Sequence, residues 1–212
     1  MQQHVAGLGK PVEKVIADYH AAGFSTYEPS QYVMVEGMPE FVKGDIYRGM
    51  VKGFAANFGD AIDTEGNVPT ATVARNGKER FAGVEFVFTP GAASDFPAAS
   101  ILIGSKIYYL HFTPVAGMHM GPLQLTGRAA VEAYLSELER ANASGAELFI
   151  GGHGMATADK SAVDFQIGYL KKVQETMNGK KNAEDFIAAM KSAYPYAAAS
   201  ENLTAVAANL YK

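Results

Sequence analysis

The sequence has no cysteine among its 212 residues. A chain without thiols forms no disulfide bond and supplies no thiolate ligand, which excludes zinc ribbons and iron–sulfur sites. Any metal site would have to use histidine and carboxylate ligands, the usual set for zinc, iron or manganese. The missing cysteines do not by themselves fix the cellular compartment.

Three other features are also missing. No apolar run reaches the roughly 20 residues of a membrane-spanning helix. No long basic run occurs, and the formal net charge is -4, so nucleic acid is not an expected partner. The N-terminal MQQHVAGLGKPVEK lacks the charged and apolar segments of a signal peptide. We therefore expect a soluble protein that binds neither membrane nor nucleic acid, in a compartment that stays unknown.

Apolar runs bounded by turn residues predict several short strands. One is centred on Val15 and Ile16, and 71–75 reads as an edge strand. The run SILIGSKIYYLHF predicts a hairpin that turns at Gly104-Ser105. The remaining strands are predicted over 31–36, 84–91 and 147–152.

Helical periodicity alternates with these strands. A helix is predicted over 39–60 and another over 128–143. A capping box from Ser161 to Asp164 predicts the start of a third, and two more helices near the C-terminus are separated by Pro195. Interleaved strands and helices, with consecutive strands in the middle, indicate an α/β fold with a mixed sheet.

The titratable side chains of interest lie where predicted strands end. In such folds, loops at strand ends converge and build ligand sites. A single histidine there is more often a hydrogen-bonded turn residue, so each candidate has a purely structural alternative. The candidates are Asp18, His20, Asp95, His111, His119 and His153.

His153 stands between glycines in the stretch Gly-Gly-His-Gly, directly after a strand. Glycine lets the backbone bend and leaves the imidazole accessible, which favours a ligand or catalytic role. The alternative is that the glycines only serve a tight turn. The stretch is not a phosphate-binding loop, because no Lys-Ser/Thr follows it.

The other histidines are less distinctive. His119 lies between Met118 and Met120, which we interpret as an apolar cap rather than as metal ligands. His111 alternates with apolar neighbours in a strand and could face solvent. The sequence has no Gly-x-Ser-x-Gly elbow, so no serine stands out as a nucleophile.

The order of these features resembles the metallo-β-lactamase superfamily. Residues 147–177 resemble its closing segment, in which a Gly-His-Gly turn precedes a helix. VEFVFTPG resembles its strand that ends in Thr-Pro-Gly, and SILIGSKIYYLHF resembles the hairpin that follows. LGKPVEKVIADYHAAGF resembles the strand that delivers its His-x-His-x-Asp-His motif.

The resemblance implies a metallo-β-lactamase-like αββα sandwich with mixed sheets and additional C-terminal helices. We predict a domain over 1–179 and a helical extension over 180–212 packed on it. The family's opening strands have no counterpart in this chain, which predicts an exposed sheet edge at 14–18. A homodimer contact, a partner protein or a helix is expected to cover that edge.

The resemblance also implies a degenerate metal site. Asp18 stands in the place of the first motif histidine, and His20 matches the second. Ala22 and Gly23 replace the motif's last two ligands. His153 matches the histidine of the closing turn.

Two further ligand positions are altered in the same way. Ala92 and Ala93 follow Thr89-Pro90-Gly91, where the family has its next ligand. The bridging aspartate falls at His111 or Phe112. The set needed to hold two ions is therefore incomplete.

We consider three functions. The leading hypothesis is a protein of this fold that has lost dinuclear hydrolysis and serves as a binding or structural protein, without a cofactor. The second is a mononuclear hydrolase of esters, thioesters or phosphoesters, with one divalent metal, zinc by preference, on His20, His153 and a third ligand. That third ligand is His111, with His119 or Asp18 as alternatives. The third is metal-free acid–base catalysis by Asp18 and His153.

Overall fold

The structure is a computed structural model that describes residues 7–18, 24–61, 68, 71–92, 98–154 and 157–212. Within these residues it contains eight β-strands and six α-helices. The chain divides into two compact units, one over 1–90 with 95–99 and the other over 91–94 with 100–212. Each unit is described separately below.

A parallel sheet of three short strands organises the first unit. Its strands are β1 (Val15–Ala17), β2 (Tyr32–Val35) and β3 (Thr72–Val73), in that spatial order. All four residues of β2 are buried, as expected of a central parallel strand. The predicted strands near Val15 and over 31–36 are confirmed, and so is the edge position of 71–75. Because β1 is also an edge strand, cover by a second copy or a partner stays a prediction.

The segment between β2 and β3 corrects one expectation. A single helix over 39–60 was expected, but the structure has α1 (Met38–Lys43) and α2 (Asp45–Phe58). Gly44 separates them with an extended backbone, φ -77° and ψ 163°. The apolar side chains of α2 are only partly covered, because Tyr47 is buried while Phe58 is 60% exposed.

A hairpin completes the first unit, with β4 (Lys78–Phe81) antiparallel to β5 (Val84–Pro90). Its two turn residues, Ala82 and Gly83, both have positive φ, 47° and 79°. Two such residues form the turn type that matches the twist of a hairpin. The predicted strand over 84–91 is confirmed. Strand β4 was not predicted, because Lys-Glu-Arg-Phe lacks apolar alternation.

Three strands of the second sheet lie wholly or mainly in the second unit. They are β6 (Ala99–Ile103), β7 (Ile107–Phe112) and β8 (Leu148–His153). Strands β6 and β7 pair antiparallel around Gly104-Ser105, as predicted, and β7 pairs with β8 in parallel. The sheet is therefore mixed, also as predicted, and β7 and β8 both end at the same edge.

Four helices pack on this sheet: α3 (Arg128–Ala143), α4 (Lys160–Gly179), α5 (Ala183–Ala193) and α6 (Asn202–Leu210). The predicted bounds of α3 are confirmed, and Pro195 lies between α5 and α6. The predicted cap of α4 is wrong by two residues. Asp159, not Ser161, caps the helix, since its carboxylate accepts hydrogen bonds from Ser161 N at 2.9 Å and Ala162 N at 3.3 Å.

The helices enclose one apolar core with β7 and β8. Fully buried members from the strands are Leu110 and Phe149, and the helices add side chains that include Leu138, Leu170, Phe186 and Leu203. Helices α5 and α6 contribute to the same core as α3 and α4. The predicted division at residue 179, between a domain and a C-terminal helical extension, stays a prediction. In the described part of the chain, no helix combines the length and apolarity needed to cross a membrane.

Arg128, the first residue of α3, ties together the ends of two other helices. Its Nη2 donates to the Met177 carbonyl oxygen at 3.0 Å, and its Nε donates to the Leu210 carbonyl oxygen at 3.2 Å. The guanidinium also lies 5.7 Å from the ring centre of Tyr211. Carbonyl groups in the last turn of a helix have no partner within the helix, so this arginine supplies a donor and a favourable charge.

Glu137 is a carboxyl group inside this core. The residue is 1% exposed and accepts a hydrogen bond from the Ser100 hydroxyl of β6. Burial raises the pKa of Glu137, although Ser100, the Ala92 backbone N–H and the charge of Arg140 favour its ionised form. The folded protein therefore binds a proton at this position more tightly than the unfolded chain does.

We predict a pH-dependent effect of Glu137→Gln. Because the pKa of Glu137 is raised in the folded state, proton binding at Glu137 stabilises the natural chain. This stabilisation is complete below the ordinary pKa of 4.5 and is lost as the pH rises through the folded-state pKa. The free energy of unfolding of the variant, relative to the natural chain, should therefore increase as the pH rises from about 4.5 to the folded-state pKa of Glu137, and should be constant above that pKa. Urea denaturation over a pH series measures it.

Glu132→Gln, on the exposed face of the same helix, is the matched control. Its difference from the natural chain should stay nearly constant across the series. A flat difference for Glu137→Gln would contradict the assignment of a raised pKa.

Candidate functional site

The parallel pairing of β7 and β8 brings two candidate histidines together. Phe112 is opposite His153 in the register, and Thr113 N donates to the His153 carbonyl oxygen at 2.8 Å. The ring centres of His111 and His153 are 4.9 Å apart, with an interplanar angle of 81°. The ring of Phe112 lies 5.2 Å from that of His153. Sequence reasoning placed these histidines at strand ends, and the structure adds their proximity.

Backbone geometry requires glycine at two of the positions around His153. A Cβ on Gly151 would lie 2.3 Å from Thr113 N and 2.7 Å from the Phe112 carbonyl carbon. Only glycine allows β8 to approach the end of β7 this closely. Gly154 has φ +96°, a left-handed conformation that side chains disfavour. The glycines therefore serve the turn, and they also hold His153 beside His111.

His119 lies in the environment of a core residue rather than in that of a metal ligand. It is 1% exposed, and its Nδ1 lies 3.0 Å from the Tyr169 hydroxyl oxygen. Burial is the main cause that lowers the pKa of His119, the charge of Lys191 adds to it, and Glu201 opposes it. A neutral imidazole with Nδ1 directed at Tyr169 suits a core hydrogen bond.

The loop that carries His119 is anchored to the chain segment between α5 and α6. His119 N donates to the Ala198 carbonyl oxygen, and Ala198 N donates to the Gly117 carbonyl oxygen, both at 2.9 Å. The Asn202 side chain adds a bond from Nδ2 to the His119 carbonyl oxygen at 3.2 Å. Met120 is 2% exposed and belongs to the core, in agreement with the prediction of an apolar cap.

Asp18 lies in the first unit, just after β1. Its Oδ2 accepts a hydrogen bond from Ala99 N at 3.4 Å. His153 belongs to the second unit, so the Asp18–His153 acid–base pair stays a prediction. His20, Asp95, Ala22, Gly23 and Ala93 lie outside the described residues.

A metal ion can be tested against the histidine pair. Two imidazoles on one zinc ion, with bonds of about 2.0–2.1 Å, place their ring centres roughly 5 Å apart, and the separation of His111 and His153 is compatible with that spacing, although it is equally that of an edge-to-face ring contact. Over residues 7–18, 24–61, 68, 71–92, 98–154 and 157–212, no three His, Asp or Glu side chains form a group that could hold a metal. A catalytic zinc ion needs about three protein ligands, and His20, the ligand that the sequence analysis suggests, lies outside the described residues.

A pocket of about 190 Å³ lies next to His153 within the second unit. The loop after β7, the turn after β8, α4 and the start of α6 supply its walls. One wall is apolar and includes Phe112, Val115 and Met118. Polar residues, which include Thr113, Gln166 and Asn202, complete the lining, although most of the surface that faces the pocket is apolar. Sequence reasoning did not find this pocket, because its polar residues belong to no motif and are far apart in the chain.

The sequence matches no family model, and no curated protein matches it either. Solved structures do match. A metallo-beta-lactamase from Pontibacter korlensis has 16% identity and a TM-score of 0.52, over 80% of this chain and 74% of that one. A metallo-beta-lactamase family protein from Thermus thermophilus has 13% identity and a TM-score of 0.56, over 98% and 76%.

A third solved structure of this kind is longer than the present chain. The inverting sec-alkylsulfatase Pisa1 from Pseudomonas sp. has 14% identity and a TM-score of 0.55, over 93% of this chain and 41% of that one. Identities this low establish the architecture and leave activity open.

We predict that Gly151→Ala destabilises the protein. The added methyl group would overlap the backbone of Phe112 and Thr113, and overpacking of this kind costs about 1–3 kcal/mol. Urea denaturation followed by circular dichroism measures the loss.

Gly152→Ala is the matched control, since its Cβ would meet the Tyr109 hydroxyl at 3.4 Å, near ordinary contact distance. Equal denaturation midpoints for the two variants would show that the β7–β8 contact tolerates a side chain.

The parallel sheet of the first unit, the mixed sheet of the second, the order of strands and helices and the agreement with three solved structures lead to one conclusion: this chain has the metallo-β-lactamase fold.

Proposed function

We propose that this protein has the metallo-β-lactamase fold without dinuclear hydrolysis, and that it serves as a binding protein. The observation that supports this best concerns the positions where the resemblance places metal ligands: the side chains found there contact the rest of the protein. Asp18 directs a carboxylate oxygen to the backbone of Ala99. Ala92 and Phe112 pack against the apolar core of the second unit. These positions now serve the fold.

The charge balance of a two-ion site supports the same proposal. Two divalent ions roughly 3.5–4 Å apart repel each other and need several carboxylate and imidazole ligands. A methyl group at Ala92 supplies neither charge nor lone pairs. The bridging position, at His111 or Phe112, has no carboxylate in either alignment. The fold therefore keeps a pocket at its strand ends but offers fewer ligands for the metal ions that would activate water there.

The second candidate is a mononuclear hydrolase, and the proximity of His111 and His153 favours it. With His20 as a third ligand, a zinc ion would have the three protein ligands of a catalytic site. Such an ion would supply hydroxide at neutral pH for attack on an ester, thioester or phosphoester. His20 and His153 serve different ions in the family that the sequence resembles, so their use on one ion would be a departure.

Metal analysis separates these candidates. We predict fewer than two zinc ions per chain after incubation with excess zinc and gel filtration, measured by plasma mass spectrometry. A binding protein should hydrolyse no ester, thioester or phosphoester faster when zinc is added. Two retained ions per chain would overturn the proposed loss of dinuclear hydrolysis.

The variants His20→Ala, His111→Ala and His153→Ala test the mononuclear alternative. If that alternative holds, one zinc ion binds to the natural chain, and each variant loses both the ion and zinc-dependent hydrolysis. His4→Ala, which removes a histidine outside all the motifs, should change neither quantity. Unchanged zinc content in His20→Ala and His153→Ala would eliminate the mononuclear hydrolase.

A further inference from the structure

The tripeptide Asn-Gly-Lys occurs twice in the chain, at residues 76–78 and at residues 178–180. An asparagine that precedes glycine is prone to lose its side-chain amide, because the backbone nitrogen of the next residue can attack the asparagine Cγ and glycine has no side chain to obstruct the approach. Since the two tripeptides have the same sequence, they differ mainly in the structure that surrounds them.

The first copy lies in an exposed turn between β3 and β4. Arg75 and Asn76 form this turn, and Asn76 is exposed to solvent. The Gly77 carbonyl oxygen accepts a hydrogen bond from Phe88 N at 2.8 Å. Within the part of the chain that the structure describes, Gly77 N donates to no backbone carbonyl oxygen. The nitrogen that would attack Asn76 is therefore not held by the backbone.

The second copy lies in the last turn of α4. Asn178 is also exposed, so exposure does not distinguish the two asparagines. Gly179 is inside the helical hydrogen-bonding pattern, which continues past it to the bond from Lys180 N to the Thr176 carbonyl oxygen at 2.9 Å. Arg128 Nη1 also donates to Asn178 Oδ1 at 3.3 Å. Attack by Gly179 N would break helical structure and this side-chain contact, so the helix protects Asn178.

Close packing inside the first turn explains why position 77 has a glycine. A Cβ there would lie 3.0 Å from Ala74 Cβ and 3.3 Å from the Ala74 carbonyl oxygen, which is closer than side chains normally approach. A larger residue would obstruct the attack on Asn76, but it would also crowd the turn. The glycine that the turn requires therefore leaves Asn76 open to attack.

We propose that Asn76 is a site of spontaneous covalent modification, at which an amide is converted into a carboxylate with water as the co-reactant. Gly77 N, after losing its proton to solvent, forms a bond to Asn76 Cγ, and the Cγ–Nδ2 bond breaks with release of ammonia. Water then opens the resulting succinimide at either of its carbonyl carbons. The products are aspartate and isoaspartate, and no oxidant or reductant is consumed. This inference is independent of the proposed binding role.

The modification changes the charge of the turn and, in one product, its main chain. Both products place a negative charge between Arg75 and Lys78. Isoaspartate also adds a methylene group to the main chain directly before Gly77, whose carbonyl oxygen holds the start of β4 against β5 through Phe88 N. The isoaspartate form should therefore be less stable than the aspartate form, which keeps the natural main chain.

Mass spectrometry of the full-length protein, incubated at mildly alkaline pH and then digested with Glu-C, measures both sites in one sample. Cleavage after glutamate separates the two asparagines into the peptides 66–79 and 176–184, and fragmentation locates the new carboxyl group. Asn76 should convert at least about tenfold faster than Asn178, a ratio that corresponds to about one helical hydrogen bond. Its rate should rise with pH, because the attacking nitrogen must lose a proton. Equal rates at the two sites, or faster conversion of Asn178, would overturn the proposal.

The same incubation in guanidinium chloride separates the effect of the fold from that of the sequence. In the unfolded chain the two identical tripeptides should convert at similar rates. A difference as large as that of the folded protein would show that the turn and the helix are not its cause. Asn76→Gln is the control variant, since its longer side chain closes the ring far more slowly, and it should leave the rate at Asn178 unchanged.

Urea denaturation tests the effect on the turn. Isoaspartate-containing protein, separated from the unmodified chain by ion exchange, should have a lower denaturation midpoint than the variant Asn76→Asp. Equal midpoints would overturn the inferred effect of the longer main chain on the contact between β4 and β5.

Discussion

The close contact between the ends of β7 and β8 is the constraint on which the candidate site depends. At Gly151 the two backbones approach so closely that a methyl group would overlap Thr113 N. This contact aligns Phe112 with His153, and it leaves the two imidazoles of His111 and His153 at one edge of the sheet. The wall residue Thr113 is placed by the same contact. One local backbone requirement thus positions both the histidine pair and one side of the pocket.

Much of the second unit could be predicted from the sequence because its patterns are long and regular. The 16 residues of α3 follow helical periodicity throughout, and the hairpin of β6 and β7 has apolar runs on both sides of Gly104-Ser105. The first unit was harder to predict. Gly44 divides a continuous helical pattern into two helices, and β4 has a charged sequence whose pairing is set by its turn.

The site was only partly predictable for a different reason. The sequence identified His111 and His153 as candidates, because both lie near the ends of apolar strands. It did not identify Gln166 or Thr113, since a glutamine in the middle of a helix and a threonine after a strand have no distinguishing pattern. His119 illustrates the converse. It is a titratable residue in a loop, yet burial and Tyr169 give it a place in the core. Tertiary context decides between a ligand and a core residue.

The anchoring of the His119 loop by Ala198 and Asn202 has an evolutionary consequence. The pocket is bordered by a loop whose position depends on the last helices of the chain, so the C-terminal segment and the pocket cannot diverge independently. Related chains that differ in their final helices should therefore differ in the molecules they accommodate, even where the histidine turn after β8 is identical. Variation in the tail of this fold becomes a means of diversifying what it recognises.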